Sequence, residues 1–580
     1  MAEQPPIEDW TTIPWRKLER TVYRLQRRIY RASCRDNVQA VHSLQRLLLR
    51  SRAARTLAVR RVTQDNQGKR TAGVDGVKSV PPAQRPHLVT RLRHPEQIHP
   101  QPTRRVWIPK PGTTEQRPLG IPVMLDRAHQ ALVTLALEPE WEARFEPNSY
   151  GFRPGRSCHD AISALMAATA RKEKYVLDAD IQSCFASIAH QPLLDKLATY
   201  PAMRRTIKGW LRAGMLSEGA WAPTTRGTPQ GGVASPLLAN IALDGLERTV
   251  HAAFGHQDRP QVLRYADDFV ILHPTREGIE RARGIVEAFL TARGLQLKES
   301  KTRITHTLHP LDGRVGFDFL GFTIRQHPAG RTKVGKDSRG RPLAFKLHVR
   351  PSKEAITRHQ TELRRIVRTH RAARQADLIT ALNPVITGWA RYYRTVRSSR
   401  VFSTCDHHLF KLLWRWARFR HPTKSNAWLK RKYWTTKGGN TWTFATSDGQ
   451  VLARHDRVGI RLHLKVKGAA SPYDGNLVYW ARRLRTHPLV QTRTALLLKR
   501  QQGRCGHCGL LLTERDRIEI DHLIPRSAGG RGVFANLRVL HRHCHDQRGL
   551  HDRDHPTEEP DEVNVSCPVL EPSGGGDPSA

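Results

Sequence analysis

Residues 261–273 read QVLRYADDFVILH: two short apolar runs, Gln261 to Leu263 and Phe269 to Leu272, flank Tyr265, Ala266, Asp267 and Asp268. β-Branched and aromatic residues around a polar centre predict two strands joined by a tight turn that carries the acids. An isolated Asp-Asp pair would be no more than a turn. Adjacent carboxylates between apolar strands repel each other, however, and a divalent metal taking hard oxygen ligands is the usual means of keeping both ionised. A second apolar strand supplies further acids, since YVLDADIQSCF over 175–185 ends in Asp178 and Asp180. Three acids at neighbouring strand ends can hold two metals about 3.5–4 Å apart, the arrangement that clamps both oxygens of an in-line phosphoryl displacement. Mg²⁺ is the expected ion and nucleotidyl transfer the expected chemistry.

The whole chain points to a polyanion. Its 580 residues should divide into several domains, and 96 Lys and Arg against 52 Asp and Glu give +44. Residues 551–580 carry eight acids and one Arg, so the preceding part carries about +51. Such an excess is self-repelling without an anionic partner, and nucleic acid is the expected one. A membrane is not expected, because no apolar run approaches the ~20 residues needed to span a bilayer. The opening MAEQPPIEDW is acidic and polar, unlike a signal peptide, so a cytoplasmic location is expected. The eight cysteines are scattered except for Cys505, Cys508 and Cys544, a metal-site pattern and not a disulfide framework.

YADD resembles the Y-x-D-D box of reverse transcriptases, and DIQSCF resembles the strand that bears their first catalytic aspartate. The resemblance implies that Asp180, Asp267 and Asp268 are the metal ligands, with Asp178 outside the site. It also places Phe185 where a bulky ring meets the sugar of the incoming nucleotide and excludes a ribose 2′-OH, although a core aromatic could equally follow a strand. Upstream, apolar residues at Leu18, Val22, Leu25 and Ile29, then at Val41, Leu44, Leu47 and Leu48, predict amphipathic helices with basic outer faces. TAGVDGVK over 71–78 resembles the short motif ahead of the fingers in intron-encoded reverse transcriptases. RRVWIPKPGTTEQRPLGIP over 104–122 predicts a hairpin that gathers Arg104, Lys110 and Arg117. Lys110 and Arg117 are the residues expected to grip a nucleoside triphosphate, because Arg104 and Arg105 compete for one role.

NSYGFRPGRSCHD over 148–160 sets glycines and Arg153 and Arg156 around Tyr150 and Phe152, a composition suited to a passing nucleic-acid strand. It matches the second block of group II intron reverse transcriptases almost residue for residue. TPQGGVASPLLANIALD over 228–244 predicts a turn followed by a helix that buries Leu237, Leu238, Ile241 and Leu243. Its Pro229, Gln230 and Gly231 resemble the loop beneath the nascent base pair. LKESK (297–301) and GFDFLGF (316–322) match the last palm blocks, with Lys298 or Lys301 at the primer and Phe319 to Phe322 closing the core.

From about Lys353 to Asn440 the chain turns to basic helices rich in Trp and Tyr. GWARYYR (388–394) and RWARFR (415–420) interleave guanidinium groups with rings, which suits RNA. This region resembles domain X, the thumb and splicing region of intron maturases. Arg391 and Arg394 are the expected RNA contacts, and Trp389 and Trp416 the expected thumb core. Residues 441–500 are irregular with a basic run near Arg482 to Arg485, a candidate DNA-binding segment.

Cys505-x₂-Cys508 and His541-x₂-Cys544 form two knuckles separated by thirty-two residues, suited to a tetrahedral structural Zn²⁺. The order IDHLIPRSAGG, ANLRVL, HRHCH resembles the HNH nuclease motif, a ββα metal finger. The resemblance implies His522 as general base, Asp521 and His545 as holders of a catalytic divalent ion, and Asn536 as a residue that orients the base or completes the site. His541 and His545 could exchange roles.

The expected fold is multidomain α+β. A helical extension and the start of the fingers occupy 1–100, and fingers and palm with an antiparallel sheet occupy 101–335. Then follow a helical thumb or domain X over 350–440, the 441–500 segment, the HNH zinc domain over 501–552 and an acidic tail over 553–580. The implied function is that of a bacterial-type group II intron-encoded reverse transcriptase, maturase and endonuclease. Its partners would be intron RNA, a DNA target site and dNTPs, and oligomeric state, a homodimer included, is left open. The competing readings are a maturase that only binds RNA and a reverse transcriptase of another retroelement or defence system.

Overall fold

The computed structural model describes residues 9–109, 115–329, 335–336, 340–437, 439–484, 487–512 and 516–545. Lys110 and the acidic tail lie outside the described residues. At the centre is a four-stranded antiparallel sheet in the order Gln261–Tyr265, Asp268–His273, Tyr175–Asp180, Arg303–His306. Val176, Leu177, Ile271 and Leu272 are fully buried, because the sheet is covered on both faces. Arg276–Thr291 packs on one face, while Cys158–Thr169 lies against Gln261–Tyr265 on the other. Ser157 starts that second helix with a capping box closed by Asp160.

The fingers carry the predicted hairpin, with Thr103–Pro109 pairing Gln116–Ile121 in the register Arg104↔Ile121 to Pro109↔Gln116. N-terminal helices Trp15–Ser33, Val38–Arg50 and Arg52–Arg60 surround the long helix Met124–Arg144. They bury Val22, Ile29, Val41 and Leu48 as expected. Leu47 does not join them and is half exposed, because one residue before Leu48 is a 100° turn away from the inward stripe. Phe317, Phe319 and Phe322 are buried where the sheet of Phe317–Phe319, Phe322–Pro328 and Phe345–Pro351 meets the palm core.

Helices Lys353–Thr369, Gln375–Tyr393 and Ser399–Arg420 form a separate core with Asn426–Tyr433 and the hairpin Trp434–Lys437/Asn440–Phe444. Trp416 is buried there and donates its indole N–H to the His370 carbonyl at 2.9 Å. Trp389 lies elsewhere: it stacks on His359 and packs with the palm-side cluster, so it joins thumb to palm instead of filling the thumb core.

Within the segment 441–500, expected to be irregular, residues 455–484 strap the thumb onto the palm. Buried Asp160 receives Arg483 at 2.6 Å, His463 at 3.1 Å and the Val466 backbone N–H at 2.7 Å. Trp480 is fully buried against Gly155, where an added Cβ would come within 2.4 Å of the indole ring. Arg483 therefore neutralises a buried acid and is not free for DNA, and Arg485 lies outside the described residues.

Candidate functional site

The predicted hairpin forms with only Ala266 and Asp267 between its strands, and Tyr265 faces Asp268 across it. Asp268 is thus the first residue of a strand, not part of the turn. It lies directly opposite Asp180 in the ladder, so the three acids named from sequence share one sheet edge. Ala266 has φ +59°, a left-handed turn conformation, and Gly151 packs so closely that a Cβ there would lie 2.4 Å from the Ala266 nitrogen. This contact holds the 148–151 stretch alongside the acidic hairpin. Tyr150 N–H donates to the Arg264 carbonyl at 2.9 Å and Arg264 N–H to the Asn148 carbonyl at 3.0 Å. Beneath the turn, the Arg264 guanidinium donates to Asn240 Oδ1 and the Ala266 carbonyl.

The electrostatics are those of crowded acids. Asp268 is open to solvent at its outer edge, yet the protein around it, then Asp267 and Asp180, push its carboxyl up to about 7. Asp267 is raised by the same causes, burial first, with Arg117 among the cations opposing the rise. Asp180 meets Lys301 Nζ at 2.6 Å, and this hydrogen bond raises the Lys301 ammonium. Of the two lysines left open for a primer role, Lys301 lies at the acids, whereas Lys298 Nζ is 3.9 Å from Glu115. Asp178 shares Asp180's face of the strand but turns to Arg303 at 3.4 Å, with burial pushing it up to about 6. It stands outside the three-acid group.

Phe185 is half-buried, edge-on to exposed Phe152 at 6.2 Å, and its carbonyl accepts from Thr228 N–H. The loop with Gln230 docks on the fingers through Gly120 N–H donating to the Gln230 carbonyl at 2.8 Å. Gly231 there has φ +123°, a conformation that favours glycine. Arg117 is exposed near the end of the hairpin, and Arg104 is tied to the Ala72 carbonyl.

Two expected nucleic-acid contacts are corrected. Arg153 is buried in a bidentate pair with Glu142 at 2.8 and 3.0 Å, and its remaining nitrogen donates to the Glu146 and Ser149 carbonyls. Arg156 is also buried, donating to the carbonyls of Pro147, Gly468 and Ala470, with burial lowering it to about 10. Neither guanidinium can reach a strand. In the thumb, Arg391 is exposed, while Arg394 Nε is bound to the Gly459 carbonyl.

In the small finger, Cys505, Cys508, His541 and Cys544 place their ligand atoms within 4.8 Å of one another, the one such set of three or more among the described residues. Burial would raise the Cys505 thiol, but backbone N–H groups of Cys508, His507 and His541 outweigh it and bring it down to about 6. Two thiols beyond the first and an imidazole on a tetrahedral spacing form a donor set that fits Zn²⁺. His541 belongs to this set, and His545 instead meets Glu519 at 3.1 Å.

Asp521 and His522 end the strand Ile518–His522, paired antiparallel with Leu537–His541. Asp521 is held by Arg538 at 2.8 Å. Glu519, two residues earlier on Asp521's face, was missed from sequence, although the alternation IEIDH was the signal for it. Asn536 spends its amide on backbone, accepting from Ile524 N–H and donating to the Ile524 and Arg531 carbonyls. It is a positioning residue that fixes the loop after His522.

Comparison with known proteins agrees along the chain. Residues 10–92 match the N-terminal domain of reverse transcriptase and 108–324 match Reverse transcriptase (RNA-dependent DNA polymerase). Residues 356–434 match the Group II intron, maturase-specific domain and 505–550 match HNH endonuclease. Protein YkfC of Escherichia coli is 33% identical over 314 residues, 46% of this chain and 78% of that protein. The group II intron-encoded protein LtrA of Lactococcus lactis is 30% identical over 40% of this chain, an alignment spanning 49% of LtrA. Maturase-like protein 1 of Euglena gracilis is 25% identical over 66% of this chain and 76% of its own length. No helix among the described residues is long and apolar enough to cross a membrane. With the paired acids, the maturase thumb and the cysteine-histidine finger in one chain, the protein belongs to the group II intron-encoded proteins that join a reverse transcriptase, a maturase domain and an HNH endonuclease domain.

Proposed function

We propose that this protein promotes splicing of its intron RNA, nicks a DNA target with the HNH finger and copies the inserted RNA from the nick in the bacterial cytoplasm. The observation that carries the polymerase half is the register of Asp180 against Asp268, with Asp267 on the adjoining turn. An all-carboxylate donor set fits two Mg²⁺ ions, which when bound would neutralise charge on the attacking and leaving oxygens. Asp180, Asp267 and Asp268 would hold the ions, and Lys301 stands beside them on Asp180. Lys110 and Arg117 orient the triphosphate, Gln230 supports the new base pair, and Phe185 excludes a 2′-OH by contact with the sugar. In the finger, Cys505, Cys508, His541 and Cys544 would hold Zn²⁺ beside the small apolar core of Leu498, Leu512, Leu537 and Val539. His522 removes the proton from the attacking water, and Asp521 and His545, with Glu519 beside them, hold a divalent ion that stabilises the phosphate charge.

The test is a pair of variants on purified protein. Asp267→Ala should stop extension of a DNA primer on RNA and spare nicking of target DNA. His522→Ala should do the reverse with normal zinc content. Primer extension by Asp267→Ala at the parental rate, or parental nicking by zinc-replete His522→Ala, would remove the corresponding assignment.

A further inference from the structure

The thumb carries a shallow, open cavity of about 680 Å³ lined by Trp414, Arg415, Arg418, Phe419 and Pro422. On the helix Ser399–Arg420 these residues form two crossed rows four apart, Trp414 with Arg418 and Arg415 with Phe419, so ring and guanidinium alternate around the opening. Both aromatic walls are fixed from behind. Trp414 is half-buried, stacked on Phe410 at 6.1 Å and packed on Trp434 at 5.2 Å and Trp442 at 6.0 Å. Phe419 is 52% exposed and rests against the Arg371 guanidinium at 3.4 Å from its centroid. Trp414 and Phe419 together present an aromatic surface to solvent.

Arg415 and Arg418 are exposed, and neither has an ion pair or hydrogen bond among the described residues. From His407 to Ser447 the chain has nine Lys and Arg and no Asp or Glu, so no local acid is supplied to them. Two guanidinium groups one helical turn apart repel each other until an anion arrives.

We propose that this cavity receives one unpaired nucleotide of the bound RNA, its base against the Trp414–Phe419 walls and its phosphate on Arg415 and Arg418. The inference rests on the reading that the maturase domain binds intron RNA, and adds which feature of the RNA it selects. An acidic peptide would satisfy the arginines but offers no flat ring for the walls. A base in a duplex has its faces stacked and cannot enter, so the site selects single-stranded or bulged RNA.

The test measures anisotropy of labelled oligoadenylate, of the same strand with abasic positions, and of an RNA duplex. Full-length protein is used with its polymerase cleft filled by unlabelled primer–template. Phe419→Ala should weaken oligoadenylate binding roughly ten-fold, leave the abasic strand and duplex unchanged, and be rescued by Phe419→Trp. Arg415→Ala with Arg418→Ala should weaken both single strands and make the log–log salt slope shallower by about 1.4, two contacts at about 0.7 each. An equal effect of Phe419→Ala on all three ligands, no effect on any, or competition by oligoglutamate as strong as by oligoadenylate would overturn the proposal. Binding of intact intron RNA by the parent is measured alongside. Its absence would sink the maturase reading, whereas parental intron binding with an indifferent Phe419→Ala would sink the pocket alone.

Discussion

NSYGFRPGR in the palm and RWARFR in the thumb have nearly the same composition, arginines interleaved with aromatic rings, and the structure gives them opposite uses. In the first, Glu142 and five backbone carbonyls absorb Arg153 and Arg156, and the aromatic Tyr150 is buried beside them. In the second, Arg415, Arg418 and Phe419 remain open, and the one acid of their helix, Asp406, is taken by His455. The pattern of rings and cations therefore does not decide whether a guanidinium is left open. The availability of counter-charge within folding distance decides it: a satisfied guanidinium organises the protein, and an unsatisfied one remains at the surface. The paired aspartates of the palm are the same case with the sign reversed, crowded acids whose main local cation is Lys301.

The largest effect expected under this contrast is at the unsatisfied acids. Asp268→Asn should reduce DNA synthesis by at least ~10³-fold, because several kcal/mol of charge stabilisation is lost and each 1.4 kcal/mol is a factor of ten. It should leave intron RNA binding intact, as checked by primer extension beside RNA retention.

Next is the satisfied arginine. Arg153→Ala strands Glu142 in the interior and should cost about 3–5 kcal/mol of stability, measured by denaturant unfolding of the palm. Arg391→Ala, on the exposed side, should instead lie within about 0.5 kcal/mol of the parent. If the two variants unfolded alike, the division between organising and binding arginines would fail.

A smaller effect sharpens the binding side. Arg391→Ala should make the log–log salt slope for intron RNA shallower by about 0.7, one contact's worth. Arg394→Ala should change it less, since its Nε is bound to Gly459.

The smallest effect is on pH dependence. The Asp268 carboxyl, raised to about 7 in the fold, takes up a proton on folding between pH ~4, the ordinary carboxylate value, and 7. That contribution to stability is lost as pH rises through that window, and Asp267 and Asp178 act in the same direction, while the buried imidazoles of His129 and His487, lowered to about 4, act in the opposite one. In a chelator the melting temperature of Asp268→Asn relative to the parent should therefore rise between pH 4.5 and 7. A difference that stayed constant over that range would contradict the crowding of these acids.

Sequence alone determined the chemistry that is encoded locally. YADD between apolar runs, DAD at the end of another, and Cys-x₂-Cys with His-x₂-Cys each combine spacing and residue type within a few positions. Strand alternation and knuckle geometry then follow from the backbone. Sequence also located the fingers hairpin and the aromatic core of the palm, because apolar periodicity is a local signal. What only the tertiary structure decided was the pairing of charges distant in sequence. Arg483 belongs to Asp160, Arg153 to Glu142, Lys301 to Asp180 and His545 to Glu519. It likewise made residues 455–484 a strap between thumb and palm. A charge is neutralised by whatever folding brings within a few ångströms, and no periodicity along the chain records that distance.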